Sequence, residues 1–204
     1  MMKLISPYRN IKQTTNISLE SYYLNSDIRN NIKIVLKKKV EKKCNENGYI
    51  DEVYRIMNYE DGQLIPENLS GNVIFNVVYH CKICIPIENT IIIGQVKVIN
   101  QEVIVCINGP IMTFITKDNI DTNIWELSDG YLHKPNKAKL TIGQYIKIHI
   151  LNKNINQGDN QVKTIGILLD YPSPEEITKY YGSTIIDEVS INDNIEDTEN
   201  SFII

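Results

Sequence analysis

Residues 90–116 read TIIIGQVKVINQEVIVCINGPIMTFIT. Three runs rich in β-branched and aliphatic residues, Thr90–Ile99, Glu102–Ile107 and Ile111–Thr116, are separated by Asn100-Gln101 and by Asn108-Gly109-Pro110. Short extended runs punctuated by Asn, Gly and Pro are the pattern of strands joined by tight turns. Two more such runs follow, Ile142–Leu151 and Gln161–Leu169, with Asn156-Gln157-Gly158-Asp159 between them. Five short strands with one long insertion, Asp118–Thr141, between the third and fourth predict a small closed barrel of the OB type. Closure also removes the sheet edges that would otherwise invite aggregation.

Upstream of this stretch the pattern changes. Val73-Ile74-Phe75-Asn76-Val77-Val78-Tyr79 predicts a long strand continuing toward Pro86, and Pro86 with Glu88-Asn89 marks the domain boundary. Tyr49–Met57 also reads as extended, with turn signals at Asp61-Gly62 and at 68–72. Before Gly48 the period is helical. Ile28, Ile32, Leu36 and Val40 recur every fourth residue, which predicts a helix over 26–44, capped by Ser26 and buried along one stripe. Its other face carries Lys33, Lys37, Lys38, Lys42 and Lys43, either a solvated surface or an anionic contact. Residues 1–13 read as a loose arm, although Asn16-Ile17-Ser18-Leu19 has the look of a short strand. Pro174 and the acids Glu175 and Glu176 suit the first turn of a last short helix.

The expected organisation is therefore α+β: an arm at 1–13, an N-terminal α+β domain at 14–86, and a five-stranded barrel at 87–171. A short helix and an acidic tail expected to be disordered occupy 172–204. The chain has 204 residues and a formal charge of −4. Six acids and no Lys or Arg lie between Ser183 and Ile204, which leaves 21 basic against 19 acidic residues in the body. The acidic character belongs to the tail and does not exclude a nucleic-acid-facing body.

Several function classes find no support. No apolar stretch approaches the ~20 residues needed to span a bilayer as a helix, so no membrane partner is expected. The start, Met1-Met2-Lys3-Leu4-Ile5-Ser6-Pro7, lacks the apolar segment of a signal peptide, and secretion is not expected. Cys81-Lys82-Ile83-Cys84 has a zinc-like spacing, but positions three apart on a strand face opposite ways, and no second pair completes four ligands. Buried, reduced thiols are the reading for Cys44, Cys81, Cys84 and Cys106. His80, His133 and His149 sit in no metal-binding or nucleophile motif, and no phosphate loop occurs. No catalytic residue, metal or cofactor is expected, and the chain is not read as an enzyme acting alone.

Blocks across both halves, about residues 14–171, resemble the larger stalk subunit of multisubunit DNA-directed RNA polymerases. That family comprises the seventh subunit of eukaryotic polymerase II and its archaeal counterpart. Asn16-Ile17-Ser18-Leu19 with Tyr22-Tyr23, then the helix with Gly48-Tyr49-Ile50, resemble its opening elements. Gly62-Gln63-Leu64-Ile65-Pro66 is similar to its Gly-to-Pro loop, and Phe75-Asn76-Val77-Val78-Tyr79 with Pro86 to its strand into the linker. In the barrel the similar blocks are Gly94-Gln95-Val96, Gly109–Lys117, and Thr164-Ile165-Gly166 with Asp170-Tyr171.

The resemblance implies a tip domain that plugs into the polymerase core and an OB-type barrel that projects near the RNA exit. It implies core-binding residues Gly62, Leu64, Ile65 and Pro66, supported by Tyr49 and Ile50. On the residues alone, that loop also reads as an ordinary hairpin turn. The implied partners are the polymerase core subunits, a smaller stalk partner and, weakly, nascent single-stranded RNA. The expected RNA contacts are Lys97, Phe114, Lys117, Lys147 and His149, with Tyr131, His133, Lys134, Lys137 and Lys139 in the insertion. The family's Gly-aromatic turn is replaced by Val103-Ile104, preceded by Gln101-Glu102, and Phe114 serves equally as barrel core. The AT-rich coding bias (Ala138 is the only alanine) fits a large DNA virus or a protist. A viral version would work in the viral factory in the host cytoplasm and travel in the virion; otherwise it would be nuclear. The acidic tail is either a solubilising end or a contact for another polymerase or virion protein. A free OB-barrel RNA-binding factor of translation or RNA decay is the alternative, which leaves helix 26–44 and the Gly62–Pro66 loop without a purpose.

Overall fold

The computed structural model describes residues 3–64, 71–128 and 130–182. The turn signal at 68–70, Ile65, Pro66 and the acidic tail therefore lie outside the described residues. Two compact units are present: a sheet unit of Tyr8–Ile85 and Asn154–Val162, and a barrel unit of Pro86–Lys153 with 3–7 and 163–182.

The sheet unit contains β1 (Tyr8–Leu19), α1 (Ile28–Val40), β2 (Lys43–Asn45), β3 (Gly48–Tyr59), β4 (Gln63–Leu64) and β5 (Val73–Cys84). Its strand order is β1-β5-β3-β2, with β4 also paired to β5. Residues 8–13 of the expected arm are in fact strand. All twelve residues of β1 pair antiparallel with β5, from Tyr8 opposite Cys84 to Leu19 opposite Val73. The stretch 8–13 is polar because it is an edge strand with one exposed face, a composition that reads like an arm when its partner is unseen. β3 meets β5 through three register shifts, the kind of irregularity that bends and twists a strand.

Helix α1 is shorter than its apolar period suggested. The Asn25 side chain accepts the Asp27 N–H at 3.0 Å, forming an Asx-type turn that starts the helix after Ser26. At the other end Lys42 adopts φ 59°, and its N–H donates to Ile50 O at 2.8 Å. Glu41 leaves the helix to accept the Val53 N–H at 2.7 Å through its carboxylate. The chain thus reverses into β2 and returns through Gly48, where φ is 140° and a Cβ would lie 2.8 Å from Cys84 O. Ile32 and Leu36 are fully buried against Ile17, Leu19, Val53, Phe75 and Val77. Each such side chain contributes roughly 1.5–3 kcal/mol by burial, which is what holds α1 on the sheet.

The barrel unit is built of β6 (Ile91–Ile99), β7 (Val103–Asn108), β8 (Ile111–Thr116), β9 (Trp125–Ser128), β10 (Gly130–His133), β11 (Tyr145–Asn154) and β12 (Val162–Leu168). Strands β6, β7, β8, β12 and β11 close into a barrel in that order, while β9 and β10 form a separate two-stranded sheet within the insertion. All five expected barrel strands are present, and the α+β class with a closed five-stranded barrel stands. The interior is filled from alternate positions, among them Ile92, Val96, Ile104, Ile115, Ile146, Ile148 and Leu168. Thr113 and Thr164 are equally buried and bond each other at 2.7 Å, satisfying two hydroxyls inside an apolar core. A final helix, α2 (174–182), begins with a reciprocal pair. Ser173 N–H donates to Glu176 Oε2 at 2.8 Å, and Glu176 N–H donates to Ser173 Oγ at 3.2 Å. That is a capping box, which the Ser-x-x-Glu spacing encodes.

Candidate functional site

In the barrel, β7 and β8 alternate strictly. Ile104 and Cys106 on β7, and Ile111, Thr113 and Ile115 on β8, point inward and are buried. Their neighbours point outward. Phe114 is one of these and is half-buried, so it is not barrel core. The register places Val98, Val105 and Phe114 in one row across β6, β7 and β8, with Val98 41% exposed. An aromatic flanked by aliphatic neighbours on an outward face is a surface on which an unpaired base can stack.

Cationic groups adjoin this face. Lys97 sits at the bulge between Val96 and Val98 and is exposed. Lys117 is exposed in the 3₁₀ turn after β8, with its N–H donating to Glu102 O at 3.1 Å. Lys117 also lines a groove of about 720 Å³ with Asn100, Glu102, Leu127, Tyr131 and Lys139. Tyr131 is a wall of this groove: it is buried, and its hydroxyl donates to the carbonyls of Asn100 and Gln101 at 3.0 and 3.2 Å. Glu102 stays in the groove as a negative charge and weakens its appeal to phosphate.

Two of the expected RNA contacts stand elsewhere. Lys147 forms an ion pair with Glu176 of α2 at 2.9 Å, and α2 brings Tyr181 onto Tyr145 with ring centroids 5.8 Å apart. Lys147 is thus engaged by the capping helix. His149 is buried, with its Nε2 unpartnered among the described residues. The resemblance implied an RNA contact for both, but only packing reveals what covers that part of the wall. His133 is also buried, between Trp125 and Tyr171, with Nδ1 2.7 Å from Asn136 Oδ1 and Nε2 2.8 Å from Asp170 Oδ1. The Asp170 contact lacks hydrogen-bond alignment. With Trp125 Nε1 donating to Leu169 O at 2.8 Å, this cluster fastens the insertion to the end of β12. Lys134 donates to Thr122 O at 2.6 Å, and Lys137 occupies a left-handed turn position.

In the sheet unit, Tyr49 and Ile50 are both buried, Ile50 within the core cluster, so neither side chain is itself exposed for docking. Their β3 backbone instead braces β2 and β5. Gly62 is packed so closely that a Cβ would lie 2.3 Å from Val73 Cγ1 and 2.7 Å from the Phe75 ring. Two residues on, Leu64 pairs with Val73 and is 66% exposed. Tyr22 and Leu24 are exposed just beyond Leu19, which pairs with that same Val73. Sequence reasoning singled out Leu64 but not Leu24. An exposed leucine in a polar loop has no periodic partner to mark it.

The four thiols are free and buried. Burial pushes Cys81 up to about 11 and Cys106 up to about 12, so both stay protonated and unreactive near neutrality.

No family model matches the chain. It is 32% identical to a protein of Acanthamoeba polyphaga mimivirus named as a DNA-directed RNA polymerase subunit. The likeness runs over 199 residues, 97% of this chain and 98% of the relative, and so spans both units.

Proposed function

Because the chain belongs to a family of DNA-directed RNA polymerase subunits together with the mimivirus protein, we propose that it is the larger, non-catalytic stalk subunit of such an enzyme. In this reading the sheet unit docks to the polymerase core and the barrel meets emerging RNA or initiation partners. The observation that carries it is the pairing of an α+β sheet unit with a closed five-stranded barrel in one chain, collinear with a polymerase subunit over nearly its whole length. A free RNA-binding barrel would need no such partner unit.

The docking surface is centred on Leu64, with Tyr22 and Leu24 beside it, and the resemblance adds Ile65 and Pro66, which lie outside the described residues. Gly62 supports it by letting the backbone lie against Phe75. Exposed apolar side chains grouped at one end of a unit are the ordinary mark of a protein-binding surface. RNA binds the outward face of β6 to β8 and the turn after it through Phe114, Lys97 and Lys117, weakly and with strong salt dependence. A smaller stalk subunit is its further partner, and the enzyme serves a large DNA virus, in the viral factory and in the virion.

Affinity purification of the tagged full-length protein from its source tests the reading. Co-elution of the two largest polymerase subunits is expected, and Leu64→Asp is expected to reduce it at least tenfold without changing the fold. Recovery of ribosomes or an exonuclease complex in place of polymerase would overturn the assignment.

A further inference from the structure

Strand β1 forms one edge of its sheet, and a groove of about 570 Å³ runs beside it. Four consecutive residues, Lys12, Gln13, Thr14 and Thr15, line this groove. Alternate side chains leave a strand by opposite faces, so four in a row line one groove only when the strand is met edge-on. The last turn of α1 at Lys39, and Lys43 of β2, form the facing wall.

The chemistry of the groove is one-sided. Lys12, Lys39 and Lys43 bring three ammonium groups against one carboxylate, that of Glu46. Beneath them Gln13 is buried, and a chain of bonds fixes its amide. The N–H groups of Asn47 and Gly48 donate to Asn45 Oδ1 at 2.9 and 3.1 Å, which turns Asn45 Nδ2 onto Gln13 Oε1 at 2.7 Å. The Tyr79 hydroxyl donates to the same Oε1 at 3.0 Å. Gln13 Nε2 is turned away from both and is buried without an acceptor among the described residues. Native structures rarely leave a buried donor unmet, and a ligand, ion or water completes many of those that remain.

We infer that this groove binds the phosphate oxyanions of a nucleic-acid strand, at a second contact in the sheet unit apart from the barrel face. Lysines act as point charges for phosphate, and these three line one groove from three different elements. Gln13 supplies a neutral donor for an oxygen at the base of the groove. An acidic peptide fits less well. Val40 is one of few apolar seats, and the main-chain oxygen of Asn16, an acceptor an added strand would use, already receives Lys39 Nζ at 2.5 Å.

Fluorescence anisotropy of the full chain with a labelled 12-nucleotide single-stranded RNA tests this, with far-UV circular dichroism as the fold control. The double variant Lys12→Gln/Lys43→Gln is expected to bind at least fivefold more weakly. Its slope of log affinity against log salt is expected to fall by about 1.4, the release from roughly two phosphates of a single strand. In parallel, the RNA is expected to protect Lys12 and Lys43 from acetylation, read by mass spectrometry, and to do so equally in a barrel variant Lys97→Gln/Lys117→Gln. Unchanged affinity and slope with no protection would overturn the inference. So would equal protection by inorganic phosphate or a mononucleotide at matched phosphate concentration, or protection by polyglutamate and not by RNA.

Discussion

Thr113 and Thr164 make the interior of the barrel a place where one substitution and two substitutions should have opposite consequences. Both side chains are at most 2% exposed, and their hydroxyls lie 2.7 Å apart. Replacing either by Val keeps the shape and removes one hydroxyl. The remaining hydroxyl is then buried in an apolar interior without its partner, at a cost of ~1–3 kcal/mol. Replacing both removes the whole polar pair, and the apolar isosteres leave nothing unsatisfied, so the double variant is expected near wild-type stability. Trp125 is the sole tryptophan of the chain, buried against His133 and Tyr171 in the barrel unit, and reports its unfolding by fluorescence. With a urea slope of ~1–3 kcal/mol per M, each single variant should lower the midpoint by about 1 M. The double variant should recover most of that loss. A double variant destabilised by the sum of the two singles would refute the reasoning, because it would mean that the hydroxyls bond elsewhere and act independently.

Two further outcomes are expected. Phe114→Ala should weaken single-stranded RNA binding by ~1–3 kcal/mol, the worth of one base stack, while Lys147→Gln should leave it unchanged because Glu176 already engages that lysine. Anisotropy titrations at fixed salt check both, and equal losses would remove the outward face of β7 and β8 as the binding surface. The Glu176 carboxyl is held below its ordinary range by the Ser173 N–H first and by Lys147 second. A folded-state value below the unfolded one stabilises at pH above the unfolded value, and the contribution is lost as pH falls through the folded value. The stability difference between wild type and Glu176→Gln should therefore be present at neutral pH and fade on acidification below the usual carboxylate range. A difference that persists unchanged under acid would show that the capping box does not depend on the charge.

Much of the barrel was legible because its strands obey a local rule. Runs such as Ile111–Thr116 alternate inward and outward, and turns at Asn100-Gln101 and Asn108-Gly109-Pro110 end them with residues suited to tight reversals. The start of α2 was readable for the same reason, since Pro174, Glu175 and Glu176 suit a first turn within a few residues of chain, whereas the Ser173–Glu176 box was not read. Residues 8–13 were misread because an edge strand with one polar face carries no signal of its own until β5 lies beside it. The helix was overextended at both ends because an apolar period says where a stripe lies and not where competing bonds stop it. Here Asn25 and Lys42 decided those ends.

By itself, the amino-acid sequence determined the five barrel strands and the apolar stripe of α1, because these depend on neighbours a few residues apart. Only the tertiary structure decided which side chains remain available. It buried Tyr49, Ile50 and His149, gave Lys147 to Glu176, left Leu64 and Phe114 reachable, and gathered Lys12, Lys39 and Lys43 around Gln13. The physical reason is that burial and partnership are properties of what packs against a residue from distant parts of the chain, and no local pattern of residues specifies them.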